Sequence, residues 1–287
     1  MNYLNKFKLD NKISLVTGGA GGIGIEICKS LLDAGSKVII ADIDSKKSKK
    51  LLKKINNKNI IKYFNIIERR KNKEPIAYIL KKKEFWGLEF YVDNNVLIPR
   101  PDTEILLEDL INRFKNKSRL NVLDIGTGTG CILLTILNNF KNFKGIGIDK
   151  SKKAIKIASH NSTKLKLNNR TKLINCDIDN YKFGKYDIVI SNPPYICSQR
   201  IKYLSKDVRK FEPLSALDGG LEGLDCIEKV IKAAKKLLKI GGHLYLEIGF
   251  GQLYKAKCIL IKNEFRIVTK LNDYGNISRC IISTRVK

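Results

Sequence analysis

Short apolar runs recur along the chain, each closed by glycine or polar residues and separated by stretches with helical spacing. ISLVT (13–17) and KVIIAD (37–42) read as buried strands around a helix at about 23–34, and a Lys-rich helix is expected near 45–55. A short apolar run, IIKYF, follows at 60–64, and a polar helix is expected near 66–80. EFWGLEFYVDNNVLIP (84–99) alternates apolar and polar positions about Asp93-Asn94-Asn95, the pattern of a β-hairpin turning at those residues. Beyond it a helix near 103–114 leads into the strands LNVLDI, KGIGID, TKLINCD, YDIVISN and GHLYLEIG, with helices between them. FRIVTKL and CIISTRV close the chain as an antiparallel pair. Strands alternating with helices imply an α/β architecture on a largely parallel sheet.

Two strand–glycine turn–helix units stand out, in which glycines let the backbone turn tightly and a helix N-terminus offers free N–H groups. The first, Thr17 to Gly24 (TGGAGGIG), is followed by Asp42 at the end of the next strand, where an acid can accept hydrogen bonds from ribose hydroxyls. With Gly18, Gly22 and Gly24 in place it resembles the opening of short-chain dehydrogenases/reductases over residues 10–65. The catalytic half of that family has no counterpart. Tyr-x-x-x-Lys occurs at Tyr78/Lys82 and Tyr181/Lys185, but about two such pairs are expected by chance from this composition. The segment therefore reads as βαβ scaffold, with weak NAD-type dinucleotide binding as the alternative.

The second unit, Asp124-Ile125-Gly126-Thr127-Gly128-Thr129-Gly130, has Asp149 ending the following strand. It resembles the first motif of S-adenosylmethionine-dependent methyltransferases. The resemblance implies a glycine turn that admits the cofactor closely, Asp149 on its ribose, Asp124 near its amino-acid end and Asp177 toward its adenine. After the strand YDIVIS comes Asn192-Pro193-Pro194-Tyr195. Two prolines remove two N–H donors and leave carbonyls, and Asn192 adds a side-chain carbonyl. These acceptors suit the hydrogens of a planar NH2 group, and Tyr195 offers a flat aromatic face. Nucleobase and glutamine-amide methyltransferases share this tetrapeptide, so by itself it leaves both open.

Residues outside the common core resemble one family, the release factor glutamine methyltransferases: EPIAYIL (74–80), EFWG (84–87), Ile98-Pro99-Arg100-Pro101-Asp102-Thr103-Glu104, Glu212 to Gly220 (EPLSALDGG), and Gly223-Leu224. The likeness runs from about residue 66 to the C-terminus, with one departure at Lys81, where the family usually has glycine. It implies a class I S-adenosylmethionine-dependent methyltransferase, an α/β protein with a Rossmann-like mixed seven-stranded sheet. A truncated βαβ Rossmann-like segment and a β-hairpin would precede that sheet. The expected division is 1–65 for the dehydrogenase-like fragment, 66–102 for a linker helix and hairpin, and 103–287 for the catalytic domain. The implied reaction is N5-methylation of the glutamine in the Gly-Gly-Gln motif of class I peptide chain release factors. Asn192, Pro193, Pro194 and Tyr195 are the implied catalytic residues. Gly126, Thr127, Gly128, Thr129, Gly130, Asp124, Asp149, Asp177 and Asn192 are the implied cofactor ligands. Methylation of an exocyclic amine in RNA or DNA, or of a ribosomal-protein glutamine, is the alternative. The family's small N-terminal helical domain is largely replaced here by the dehydrogenase-like fragment.

Composition adjusts this picture little. Lys and Arg number 55 against 28 Asp and Glu in 287 residues, a formal charge of +27, which on its own invites a polyanion partner. Only 11 of the basic residues are Arg, and Asn and Ile are also abundant, as A/T-rich codons would produce. No stable nucleic-acid partner is expected. Seven scattered cysteines without a Cys-x-x-Cys pair, and only His160 and His243 as imidazoles, argue for reduced thiols and against a metal centre. No apolar run is long enough to span a bilayer and no secretory signal pattern opens the chain. A cytoplasmic, membrane-free monomer is expected.

Overall fold

The computed structural model describes residues 8–42, 44, 46–48, 50 and 58–287, giving the backbone alone for 58–64. It divides into two compact units, one ending at Glu74 and the other running from Pro75 to Lys287.

In the first unit, β1 (Ile13–Thr17) and β2 (Lys37–Ala41) pair in parallel and are linked by the helix Gly22–Asp33. Val16, Cys28, Val38 and Ile40 form a small buried cluster, while Ile13 and Leu15 stay exposed on β1. The third glycine of the turn is dictated by space: a Cβ on Gly24 would lie 2.2 Å from the Gly18 carbonyl oxygen. Both oxygens of Asp42 accept backbone N–H groups, from Ala20 at 2.9 Å and Asp44 at 2.9 Å. These bonds hold its carboxyl below the usual range. The Lys-rich helix expected near 45–55 falls largely outside the described residues. The apolar run at 60–64 belongs to a helix, Lys58–Lys71, rather than standing apart from it. The helix expected over 66–80 is broken. Lys73 takes a left-handed conformation, and the Lys73 and Glu74 amides close on the carbonyls of Arg70 and Arg69. The break follows from Pro75, which disfavours a helical residue before it.

The second unit opens with the short helix Ile76–Leu80 and a two-stranded hairpin of β3 (Lys82–Phe85) and β4 (Leu88–Tyr91). Its turn is Trp86-Gly87, with φ of 52° and 72°, and not Asp93-Asn94-Asn95 as the alternation suggested. A two-residue turn with positive φ at both positions matches strand twist, and glycine favours it. Asp93 instead accepts from the Asn95 amide in a local turn. Lys81 caps the Ile76–Leu80 helix in the left-handed region, φ 56°. This is the conformation a glycine adopts without strain.

The helix Glu104–Phe114 precedes a seven-stranded sheet. Its strands are β5 (Asn121–Ile125), β6 (Lys144–Asp149), β7 (Thr171–Asn175), β8 (Tyr186–Ser191), β9 (Leu238–Glu247), β10 (Phe265–Asn272) and β11 (Ser278–Arg285). Their order is β10-β11-β9-β8-β5-β6-β7; all run the same way except β11, which is antiparallel to both its neighbours. Alternate side chains go to opposite faces. Val122, Ile188, Ile190, Tyr245 and Ile282 join the helices Glu104–Phe114 and Cys131–Asn139 in one core. Leu123, Val189, Leu244, Leu246 and Ile281 join the helices Asp225–Leu237 and Leu253–Lys262 in the other. Burial on both faces explains why the central strands read as unbroken apolar runs. No described helix is long and apolar enough to cross a membrane.

One ion pair ties together two segments far apart in sequence. Arg100 donates to Glu212 at 2.6 Å, and the Glu212 side chain is only 1% exposed, against 36% for Arg100. Burial pushes the Glu212 carboxyl up while the guanidinium opposes that shift.

Two stability outcomes follow. Lys81→Gly should raise stability by about 0.5–1 kcal/mol, the left-handed strain relieved less the added freedom of the unfolded chain. A urea midpoint that falls would contradict this account of the turn. Arg100→Ala should cost about 2–3 kcal/mol, because Glu212 is left buried without its partner; an unchanged midpoint would show that Arg100 is dispensable there.

Candidate active site

The chain runs outward from β5 through β6 to β7, then crosses back to place β8 on the other side of β5. The turns leaving β5 and β8 therefore depart in opposite directions and open a crevice at the carboxyl edge, the general location of ligand sites in open α/β sheets. A cleft of about 200 Å3 lies there, lined by Gly126, Thr127, Gly128, Thr129, Asp149, Asp177, Asn192, Pro193 and Pro194, among others. Thus nine of the expected site residues meet at one opening, though they come from four separate strand ends. Asp124, Gly130 and Tyr195 are not part of its lining.

Asp124 lies just beneath the floor. It is 1% exposed; its Oδ2 accepts the Thr127 hydroxyl at 2.7 Å, while Oδ1 has no hydrogen-bond partner among the described residues. Burial pushes this carboxyl up to about 7, with the neighbouring charge of Asp149 adding to the shift and the Thr127 bond opposing it. The glycine turn rests on β6, whose Ile148 carbonyl accepts from the amides of both Gly126 and Thr127. Gly126, Gly128 and Gly130 all have positive φ. A Cβ on Gly126 would meet nothing within 4 Å and would project into open space. Gly130 opens the helix Cys131–Asn139.

Asp149 accepts from the Gly128 amide at 3.0 Å and the Ser151 amide at 2.8 Å, so it braces the turn as well as facing the cleft. Burial raises its carboxyl above the ordinary range, against those two bonds. Asp177 lies two residues past β7 and caps a 3-10 turn by accepting from the Asp179 amide.

Asn192 donates from Nδ2 to the Thr103 hydroxyl at 3.2 Å. Tyr195 packs against the core beneath β8 and β9, and its hydroxyl approaches Glu247 at 3.4 Å. The loop between them is held by close backbone contacts. A Cβ on Gly219 would lie 2.7 Å from the Pro194 carbonyl, and one on Gly223 would lie 2.3 Å from that of Tyr195.

Sequence reasoning passed over three residues that organise this region. Gln252 uses its whole amide: Nε2 donates to the carbonyls of Tyr195 and Gly223, and Oε1 accepts from the Gly249 amide. Asn161, fully buried, donates to the carbonyls of Tyr91 and Thr129 and accepts from the Tyr91 amide, joining the hairpin to the glycine turn. Glu247 is 3% exposed at the end of β9, pushed up to about 7 by burial. An acid closing the apolar strand HLYLE was the one signal available for it. Among the described residues, no group of three or more His, Cys, Asp or Glu could hold a metal ion.

The chain matches the methyltransferase domain family over residues 116–257 and the short chain dehydrogenase family over residues 12–106. The second match extends past the βαβ segment into the hairpin region. The release factor glutamine methyltransferase of Buchnera aphidicola is 43% identical over 225 residues, covering 78% of this chain and 80% of that protein. That of Clostridium acetobutylicum is 38% identical over 234 residues, covering 80% and 82%. Among solved structures, a methyltransferase from Pyrococcus furiosus superposes with a TM-score of 0.52 at 19% identity, covering 77% of this chain and 99% of that one. It shares the fold. With identity of this level across most of both chains, and both sequence motifs converging on one cleft, the protein belongs to the release factor glutamine methyltransferase family.

Proposed function

We propose that the protein transfers a methyl group from S-adenosylmethionine to the side-chain nitrogen of the glutamine in the Gly-Gly-Gln motif of class I peptide chain release factors. The observation that carries this reading is the meeting of the Gly126–Gly130 turn and the Asn192–Pro194 segment in one cleft, in a chain so similar to release factor glutamine methyltransferases. The cleft suits the cofactor: the glycine turn leaves room at Gly126, and beneath it Asp124 keeps one buried carboxylate oxygen without a partner among the described residues, as suits a nearby cationic group. Asp124 would lie by the amino-acid end, Asp149 by the ribose and Asp177 by the adenine. S-adenosylmethionine, when bound, supplies a methyl group activated by its sulfonium charge.

The chain's own residues would position the acceptor. Asn192 Oδ1 and the Pro193 carbonyl accept the two amide hydrogens, which orients the nitrogen and increases its electron density. With both reactants held, alignment replaces a bimolecular encounter and supplies much of the acceleration. No strong base need act first, because alkylation acidifies the amide nitrogen. We further assign residues 1–65 to a dehydrogenase-derived segment, 66–102 to a linker helix and hairpin, and 103–287 to catalysis, in a cytoplasmic monomer.

Asn192→Ala should lower labelled-methyl incorporation into a release factor by at least about 100-fold and leave S-adenosylmethionine affinity nearly unchanged. Incorporation at the wild-type rate would remove Asn192 from the mechanism, and wild-type transfer to RNA instead of the release factor would overturn the substrate.

Asp124 gives a pH signature. Its folded-state pKa, near 7, exceeds the unfolded carboxyl value, so its contribution to stability without ligand falls as pH rises from about 4 through 7. A cation beside it favours the ionised form. S-adenosylmethionine should therefore bind more tightly as pH rises through about 7, with proton release, and Asp124→Asn should flatten that slope. Calorimetric titrations between pH 6 and 8.5 in two buffers of different ionisation enthalpy check both; an equal slope in the variant would refute the assignment.

A further inference from the structure

Pro193 and Pro194 carry no N–H, so the Asn192–Tyr195 loop cannot hold its shape by donating main-chain bonds from those positions. Its entrance is fixed by Ser191, a fully buried residue whose hydroxyl donates to the Ile125 carbonyl of β5 at 2.8 Å. Its exit is fixed by a side chain 57 positions away. Gln252, at the start of the helix Leu253–Lys262, donates from Nε2 to the Tyr195 carbonyl at 2.9 Å and to the Gly223 carbonyl at 3.0 Å. Its Oε1 accepts the Gly249 amide at 2.8 Å. One carboxamide thus joins the loop after β8, the loop before the helix Asp225–Leu237 and the loop after β9. The space is cut to it: a Cβ on Gly223 would lie 2.7 Å from Nε2, and one on Gly249 would lie 2.9 Å from both Oε1 and Cδ2 of Tyr195.

This pattern requires a primary carboxamide. Two carbonyls take two hydrogens from one nitrogen, and the Gly249 amide takes an acceptor beside it. A carboxylate only accepts, and an aliphatic side chain does neither. Because both ends of the group are used, it cannot turn over: reversed, it would set an oxygen against two carbonyls and NH2 against N–H. The bond at Tyr195 also reaches back along the chain. Proline rings lock φ at two consecutive positions, so few soft dihedrals separate the Tyr195 carbonyl from that of Pro193. Holding the first confines the second.

We propose that Gln252 is a positioning residue that clamps the exit of the Asn192–Tyr195 loop, so that the Pro193 carbonyl and the Tyr195 ring keep the places from which they meet the substrate amide. The inference rests on the glutamine-amide reading of the cleft and adds the side chain that holds the loop to its shape. Gln252→Glu is the discriminating change, since it keeps the size and the acceptor and removes both donors. As pH falls, its carboxyl takes up a proton and regains one donor for the two carbonyls it faces. Gln252→Leu has no such recovery. Other charged groups lie around the clamp: the Glu222–Lys255 pair at 2.7 Å flanks it, Glu247 approaches the Tyr195 hydroxyl at 3.4 Å, and Arg279 bears on Tyr195 from β11. They are common to wild type and variants, so rates are compared as the variant-to-wild-type ratio at each pH.

The test uses the full chain with saturating S-adenosylmethionine and an intact release factor, under conditions where each variant is folded. At pH 8.5 both variants should lower kcat at least about 10-fold, while S-adenosylmethionine affinity changes less than about 2-fold, because the glycine turn makes none of these bonds. Between pH 8.5 and 5.5 the kcat ratio should rise at least about 3-fold for Gln252→Glu and stay flat for Gln252→Leu. A purely structural role predicts wild-type kcat in the folded variants, or equal losses with no recovery at low pH, and either result overturns the proposal. A second measurement is independent of turnover: the Tyr195 ring resonances in protein with 13C-labelled tyrosine, assigned from a Tyr195→Phe spectrum. At pH 8.5 they should move in Gln252→Glu and stay in place in Lys262→Gln, a control at the far end of the same helix. Unmoved resonances in Gln252→Glu would refute the clamp even if the enzyme methylates release factors. Shifted resonances in a protein whose wild type methylated no release factor would support the clamp and count against the substrate instead.

Discussion

The neighbouring strands β5 and β8 run parallel, yet the chain leaves them toward opposite flanks of the sheet. Such a reversal cannot be covered by a single connecting segment, so the carboxyl edge between these strands stays open. Much else follows from that opening. The turn after β5 must reverse tightly without side chains in the way, which is the work of glycines with positive φ. The turn after β8 must stay extended beside it, which prolines impose by fixing φ and withdrawing N–H groups. The cleft is thus a consequence of strand order before it is a consequence of any one side chain.

Around the opening, the protein tolerates carboxyl groups that are costly to bury. Among the described residues, Asp124, Glu212 and Glu247 each keep an oxygen without a hydrogen-bond partner, and burial pushes all three up. Their compensations differ. Glu212 has a guanidinium at 2.6 Å and ties the segment after the hairpin to the loop beyond Tyr195. Asp124 has the Thr127 hydroxyl at 2.7 Å. Glu247 has the Tyr195 hydroxyl at 3.4 Å. Buried polar groups that are partly satisfied weaken a fold, so their concentration along one edge marks where stability gives way to chemistry.

The N-terminal unit stands in contrast. Its glycine turn and its acid, Asp42, repeat the local geometry of the second unit, down to a carboxylate that accepts an amide from the turn: Ala20 in one case and Gly128 in the other. Among its described residues the sheet is the pair β1-β2 alone. Two parallel strands bury a handful of residues and leave Ile13 and Leu15 exposed, whereas the second unit closes seven strands between two layers of helices. A local motif is therefore no guide to a working site unless the sheet supplies neighbouring strand ends.

Much of the protein was legible in the residue string because its causes are local. Apolar runs located the strands, and glycines and prolines located the turns. The hairpin turn was misplaced because alternation continues through Trp86-Gly87, and only the φ values there distinguish a reversal from an extended strand. The expected helix over 66–80 overlooked what Pro75 does to the residue before it. Tertiary structure decided everything that depends on distance across the chain. Thr103 meets Asn192 although 89 positions separate them, and Asn161 joins Tyr91 to Thr129. Gln252 fastens Tyr195 to Gly223, and Glu247 becomes meaningful only behind the loop it touches. The sequence specifies which groups can donate and accept; the strand order determines which of them share a hydrogen bond, since such a bond requires approach to about 3 Å and no linear pattern encodes that approach.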